Sequence, residues 1–520
     1  MLKLANLFSQ GMVLQREKPV KVWGEADARA EVTVLVQGVS AKGTADERGT
    51  WMVTLPPLHA STAETMTVKA GAETVTVENV AVGEVWVAGG QSNMEFPLRF
   101  EKHRDEELNT RNPNLRFFDV PKQFYPQQMQ DFGYDQVGFW READEDNLPY
   151  FSAVGYYFQK ELAASLSVPV GIIGCNWGGT QSCAWMKKET VRRVGPGWIE
   201  NWDKATAGMD MDQFWADQRV NPQNNQGNPG TDPFNAFIMP ATPTVEELMG
   251  FFKAMMAAAG IPDESSGENV AESIAAYQTG VEAKNMPGVL FENMVLKTAP
   301  YTVRGVLWYQ GESDDVEGLQ ALYGDMLEGL IGDWRAAWQE PELPFFEVQL
   351  PGFKQWSIMV TNLDYATIRR GQEKAAKCLK NVYMTSISDV GEEMDIHPKD
   401  KRTVGHRLAD MARHYIFGED ILCEAPRPAA TDREGNVITV TFEYAGGGLK
   451  LEGESVAALQ VVQGSEEIPY TANVEGSKLV LSLKTDHQKP VELRFAQGAW
   501  YRVNLYNSAN IPAIPFVVAV

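Results

Sequence analysis

The chain has 520 residues, 44% of them hydrophobic and 22% charged, and its 69 acidic against 46 basic residues give a formal net charge of −23. That length is too great for one ordinary core and predicts roughly two to four domains. So acidic a surface repels nucleic acid and anionic membrane, which excludes both as expected partners.

Residues 1–82 read as a small β-sandwich-like domain. Short β-rich runs at 18–23, 31–36, 50–55, 66–69 and 74–77 are separated by turn residues. At 83 the texture changes. The apolar run 80–88 stops at Gly89-Gly90, and Ser92 follows two residues later. Paired glycines let a backbone turn sharply and let a ligand approach closely, so the serine is lifted off a strand end, the placement a nucleophile needs. The G-x-S-x-G elbow is not met, because Met94 stands two after the serine.

A short strand is expected at 115–120 and a helix over 153–163. A continuous apolar strand over 168–176 ends in Trp177-Gly178-Gly179-Thr180. Residues 195–284 differ: a loop-forming tract at 220–230 and helical spacing over 245–259 and 268–283 read as a mostly helical insertion. The α/β rhythm then resumes with strands at 303–309, 344–350 and 382–388 and helices over 319–338, 365–379 and 399–417. From 419 to 520 the chain reads as β-rich again. The fold class is therefore α/β: a parallel-sheet esterase-like domain over 83–194 and 285–418, flanked by N- and C-terminal β-rich domains.

Four cysteines (Cys175, Cys183, Cys378, Cys423) show no CxxC pair and no zinc spacing. Buried free thiols are expected, with a Cys175–Cys183 disulfide as the alternative. No metal or cofactor is expected, since the glycine-rich turns match neither G-x-G-x-x-G nor the P-loop. No leader is visible at the N-terminus and no apolar run reaches the ~20 residues of a membrane span. The chain as it stands reads as soluble and cytoplasmic, or as secreted or periplasmic if a leader has been removed.

Ligands of open parallel sheets gather at the carboxyl ends of strands. Four strand ends carry polar, glycine-rich or acidic clusters: Gly90-Gln91-Ser92-Asn93, Trp177-Gly178-Gly179-Thr180, Gln310-Gly311-Glu312 and the loop 389–397. Of six histidines, His397 alone lies in a loop beyond a strand, with Asp395 two residues before it. A neutral imidazole can take the serine proton and return it to a leaving alcohol, and a carboxylate on its other nitrogen holds the tautomer. Activity should then rise as His397 loses its proton, near the ordinary histidine pKa of about 6.5. Oxyanion donors are available in the backbone N–H of Ser92, a backbone N–H of the Gly178-Gly179 turn and the side-chain amide of Gln310. Glu312, which cannot donate when ionised, takes a supporting role.

These stretches resemble one known family. The segments GEVWVAGGQSNMEFPL (83–98), PVGIIGCNWGGT (169–180), VRGVLWYQGESD (303–314) and DIHPKDKRTVGHRLA (395–409) are similar to the sialate O-acetylesterases, within the SGNH-type esterase superfamily. The segments QGMVLQREKPVKVWGEA and NLYNSANIPAIPF extend the likeness to both ends and leave out 195–284. The resemblance implies a three-layer α/β/α core, Ser92 as nucleophile, His397 as base, and Gly179 and Gln310 as oxyanion donors. The superfamily often carries its acid three residues before the histidine, where this chain has Met394. Asp395 is the substitute, with Asp389 or a backbone carbonyl as alternatives.

The expected reaction is removal of O-acetyl groups from a carbohydrate through an acetyl-enzyme, with O-acetylated sialic acid as the substrate the family name implies. Candidate substrate contacts are Gln91, Trp177, Trp308 and Arg369. Arg99 or Arg369 would meet a sugar carboxylate; Trp177 and Trp308 would instead give platforms for acetylated xylan or another plant glycan. The reading from another class is a non-catalytic glycan-binding protein. Oligomeric state is left open by the sequence.

Overall fold

The computed structural model describes residues 1–221, 224–225, 238, 240–241, 243–258, 281–355, 365–453, 455–484 and 489–520. It is a mixed α/β protein that divides into two compact units, Met1–Trp308 with Asp325–Phe345, and Tyr309–Gly324 with Phe346–Val520.

In the first unit, strands β1 (Lys3–Leu4), β3 (Val20–Glu25) and β6 (Thr50–Leu55) form an antiparallel sheet in the order β1-β3-β6. A second sheet is organised by β8 (Glu73–Gly90), a single strand of 18 residues. Its first part, Glu73-Thr74-Val75-Thr76-Val77, has alternating character and pairs antiparallel with β7 (Ser61–Ala70), which pairs with β4 (Glu31–Val36), itself paired with β5 (Val39–Thr44). Its last part, from Val80 onward, is buried throughout. There β2 (Val13–Gln15) pairs parallel with Ala81–Gly83, and β11 (Val170–Asn176) pairs parallel with Glu84–Gly90. On the far side of β11 lie β9 (Asn112–Asp119), parallel to it, and β10 (Trp140–Ala143), antiparallel to β9. On the other side of β8 lies β12 (Gly305–Tyr309).

A change from alternation to a continuous apolar run means a change from one wet face to two covered faces. The covering elements are visible. Helix Ala153–Leu166, capped at its start by Ser152, whose Oγ accepts from the Gly155 N–H at 3.0 Å, brings Phe158 edge-on to Trp86 at 5.0 Å between ring centroids. Three residues on from Trp86, and so on the opposite face, Gly89 sits beneath Trp308 and Trp334, the latter from helix Tyr323–Trp338. A Cβ on Gly89 would come within 2.9 Å of the Trp308 ring, so this position has room for glycine only.

In the second unit, β13 (Phe345–Gln349) and β14 (Val382–Ser386) are neighbours, with Phe346 stacked on Tyr383 at 5.0 Å and Tyr383 on Tyr415 at 3.9 Å. Helices Tyr365–Cys378 and Lys401–Tyr415 accompany them. Residues beyond 420 form two four-stranded sheets and a two-stranded pair over a shared core that includes Val440, Leu481, Phe495 and Phe516.

Glu347, in β13, is 1% exposed, and neither carboxylate oxygen has a hydrogen-bond partner among the described residues. Burial drives its pKa well above the ordinary carboxylate value, so it is held as the neutral acid. Below the unfolded pKa both states are protonated and Glu347 costs nothing by titration. As pH rises past it, the unfolded chain loses the proton and the folded chain does not, and stability falls by about 1.4 kcal/mol per pH unit until the folded pKa is reached. A Glu347→Gln variant should therefore gain on the wild type in thermal unfolding between pH 5 and 7. An equal gap at both pH values would contradict a neutral Glu347.

Several sequence expectations are met with shifted ends. The helix expected over 153–163 runs to Leu166, that over 319–338 begins as a 3-10 turn at Gln320–Leu322, and that over 399–417 spans Lys401–Tyr415. Helix Val245–Ala258 stands where 245–259 was expected. The helix expected over 268–283 lies outside the described residues except for its last three, as do most of the tract 220–230 and His487. The composition shift at 82/83 is not a break in the structure: β8 runs straight through it, and both sides belong to the first unit. All four cysteines are free. Cys175, Cys183 and Cys423 are buried, and burial pushes the thiols of Cys175 and Cys423 up to about 12, but Cys378 is exposed rather than buried. Among the described residues no helix is long and apolar enough to cross a membrane.

Candidate active site

The first unit carries the serine and the glycine turn. Because β8 and β11 are parallel with Gly90 opposite Asn176, the two strands end level, and their following loops are neighbours. The Trp177 N–H donates to the Gly90 carbonyl at 3.1 Å, and the Asn176 side chain donates to the Ala88 carbonyl at 3.0 Å. Gly90 turns the chain at φ 133°, a conformation that favours glycine. Gln91 then stands as the N-cap of a single helical turn, Ser92–Glu95. The Ser92 Oγ makes no hydrogen bond within its own unit among the described residues.

The second loop is fixed by side chains from three places. Glu95, one turn after Ser92, accepts from the Gly178 N–H at 2.7 Å and is ion-paired with Lys122. Lys284 donates to the Gly178 carbonyl at 3.1 Å. Asn285 donates to the Gly179 carbonyl at 3.2 Å and accepts from the Gln181 N–H at 2.9 Å. Thr180 closes the turn onto the Trp177 carbonyl at 2.6 Å and is held in turn by the Trp185 indole at 2.9 Å. Gly178 thus has its N–H and carbonyl engaged, whereas the Gly179 N–H has no hydrogen-bond partner among the described residues. Gly179 itself sits at φ 71°.

The second unit carries the glutamine and the histidine. Gln310 is buried, and one side-chain N–H is held by Asp314. Its side-chain oxygen accepts from the Tyr323 hydroxyl at 3.1 Å, and its backbone carbonyl accepts from Tyr323 at 2.9 Å and from Gln372 at 3.3 Å. Gly311 follows at φ 143°, where a Cβ would meet Ile368 at 2.9 Å. Glu312, the supporting residue, is also buried, and its charge acts on the Lys401 ammonium and the Tyr309 phenol.

His397 is 1% exposed. Its backbone N–H donates to Asp395 Oδ1 at 2.8 Å, and that oxygen lies 3.7 Å from the ring Nδ1. Asp395 Oδ2 accepts from Lys399 at 2.6 Å, and the same ammonium reaches the His397 carbonyl at 3.0 Å. Burial, and then the charges of Lys399 and Lys401, drive the His397 pKa well below 6.5. Lys401 is itself pushed down to about 7, chiefly by burial and then by Lys399, and lies over the Tyr309 ring at 5.3 Å. The imidazole is therefore held neutral, the form that can accept a proton.

Some expected site residues are placed elsewhere. Arg369 is 1% exposed, its guanidinium lies 5.2 Å from the Tyr501 ring centre, and it donates to the carbonyls of Pro351, Ala496 and Gly498. It pins loops inside the second unit and is not a substrate contact. Trp308 is buried edge-on between Trp185 and Trp334, and Trp177 is buried against Phe124 with Lys284 over its ring, so neither is an open sugar platform. Gln91 is buried beside Ser92. Both oxygens of Asp389 receive Arg407 at 2.7 Å, and Met394 is exposed and offers no strong acceptor. Arg99 is half-buried, over the rings of Phe100 and Tyr150. The sequence reading missed Glu95, Lys284 and Asn285 on the glycine turn, and Asp314, Tyr323 and Gln372 around Gln310. Only Glu95 and Asp314 carried a local signal, each one turn beyond a residue already singled out.

Residues 194–414 match the family model described as carbohydrate esterase, sialic acid-specific acetylesterase, a span that includes the 195–284 segment. The sialate O-acetylesterase of Rattus norvegicus is 26% identical over 100% of this chain and 94% of its own length. That of Homo sapiens is 24% identical over 99% and 92%. A crystal structure of a carbohydrate acetylesterase from Xanthomonas citri superposes with a TM-score of 0.74 at 28% identity, covering 99% of both chains.

Proposed function

We propose that this chain, a carboxylic ester hydrolase similar from end to end to the sialate O-acetylesterases, removes O-acetyl groups from sugars, with O-acetylated sialic acid as the first substrate to test. The observation that carries the reading is the pairing of Ser92 with the Gly178-Gly179 turn at the level ends of β8 and β11, tied by Glu95. In this reading the core is the three-layer SGNH type, with the β-rich segments 1–82 and 419–520 at its flanks and the 195–284 insertion within it.

The Ser92 hydroxyl attacks the acetyl carbonyl carbon while His397 takes its proton. The carbonyl oxygen gains negative charge and is met by the N–H groups of Ser92 and Gly179 and by the Gln310 amide. Collapse breaks the bond to the sugar oxygen, which leaves with the proton from His397. Water, deprotonated by His397, then attacks the acetyl-serine and releases acetate. Asp395 stabilises the transient imidazolium; its 3.7 Å approach is long for a hydrogen bond and shortens once the ring is charged. Lys284 and Asn285 act as positioning residues by keeping the Gly179 N–H aimed.

Arg99 is the remaining candidate for the carboxylate of a sialic acid, since Arg369 is consumed internally. The burial of Trp177 and Trp308 removes the feature that favoured a plant glycan. Acetate release from O-acetylated sialic acid and from acetylated xylan, measured side by side, tests the choice; faster release from xylan would reverse it.

The pH profile differs from the sequence expectation of a rise near 6.5. With the His397 pKa depressed, the base is already neutral at pH 6.5, so kcat/KM should stay level through that value and fall only in more acid solution. Lys401→Met removes one of the repelling charges and should move the acid limb upward. An acid limb at or above 6.5 in the wild type would count against a buried, cation-flanked base.

A further inference from the structure

A cleft of about 360 Å³ lies wholly within the first unit, between the β1-β3-β6 sheet and the segments around Val120 and Thr298. Its volume falls in the range of small-ligand sites. The floor is apolar and includes Phe118 and Val120. Trp23 lines it, half-buried, with one side of its ring packed edge-on to Phe8 at 4.7 Å and against Tyr301 at 6.3 Å. The indole N–H has no acceptor among the described residues.

Gln123 also lines the cleft. It is 7% exposed, and its side-chain amide has no hydrogen-bond partner among the described residues. The amide atoms are not among the fully buried polar atoms left without a partner, so they open onto the cleft, where a donor and an acceptor are available to whatever enters. At the rim stand Lys3 and Lys297, both exposed, neither ion-paired with any described carboxylate, and a single acid, Glu25. On a chain of net charge −23, a rim with two unpaired ammonium groups against one carboxylate is a local reversal of sign.

An aromatic face, an amide and an excess of cations suit a ring with apolar C–H faces, hydroxyl groups and one carboxylate. We propose that this cleft is a second, non-catalytic binding site for an acidic pyranose sugar. The ring packs on Trp23, hydroxyls engage Gln123 and the carboxylate lies between Lys3 and Lys297. The site would hold a glycan chain while another part of it is deacetylated. It rests on the reading of the substrate as a carbohydrate but shares none of the residues assigned to the reaction.

The test is titration calorimetry of the full chain with N-acetylneuraminic acid, which has no ester to hydrolyse, and with xylotriose as the neutral probe. Saturable binding of the acidic sugar is expected, about tenfold weaker in Trp23→Ala and about threefold weaker in Lys297→Glu. Turnover of a chromogenic acetate ester should be unchanged in both. Lys297 is on the surface, so its variant remains informative if the Trp23 variant fails to fold. Absence of binding, binding unaffected by Lys297→Glu, or equal binding of xylotriose would each overturn the proposal. Loss of esterase turnover in the unmodified chain would instead overturn the proposed reaction, so the two failures are distinguishable.

Discussion

Replacing Ser92 with alanine should lower kcat by about 10⁴- to 10⁶-fold, the range seen when a serine hydrolase loses its nucleophile. The fold should survive. Ser92 Oγ makes no hydrogen bond inside its unit, and the helical turn it begins is tied through the Glu95 side chain and through the Phe96 N–H, which donates to the Ser92 carbonyl at 2.8 Å. Thermal unfolding of the variant should therefore match the wild type. Mass spectrometry of the wild type quenched during turnover should find an acetyl group on Ser92. A variant that folds and keeps a substantial esterase rate would remove Ser92 from the chemistry.

Replacing Gln310 with alanine should cost about 10²- to 10³-fold in kcat, the loss typical of one oxyanion donor, with little change in KM. The split matters because the Gln310 backbone carbonyl is held independently by Tyr323 and Gln372. Truncating the side chain therefore leaves the turn in place. Asp314→Asn, which loosens the bond that orients the amide, should show a smaller loss of the same kind. A Gln310→Ala variant with raised KM and normal kcat would make the residue a substrate contact and not a stabiliser of developing charge.

What could be read from the sequence was whatever is written locally. Gly89-Gly90 before Ser92, the apolar run into Trp177-Gly178-Gly179, and His397 just beyond a strand each announce themselves within a dozen residues. The residues that hold these loops do not. Asn285 reaches Gly179 across 106 positions, and Lys284 reaches Gly178 across the same span. No local pattern marks either. Arg369 was misread for the opposite reason: a guanidinium suggests a ligand, yet its partners are backbone carbonyls, two of them more than a hundred positions away. Trp308 and Trp177 stand at strand ends, where residue type alone does not separate an open platform from a packed ring; here packing takes both. The division expected at 82/83 came from a real change in composition, but that change marks where one strand passes into a more deeply covered part of its sheet.

That strand has a consequence for synthesis. Its first half pairs with β7, which precedes it, so this part can form as soon as it is made. Its second half, which leads to Ser92, needs β11, and Val170–Asn176 is translated later. At ordinary elongation rates the delay is roughly 4 to 17 seconds. Through that interval the nascent chain carries an apolar edge with unmet backbone donors and acceptors, the kind of edge that recruits other strands. Cutting the chain at 82/83 to isolate a catalytic fragment would make the problem permanent, because it divides the strand whose first half pairs with β7 and whose second half pairs with β11. Expression trials should keep the first 82 residues attached and favour slow synthesis at low temperature.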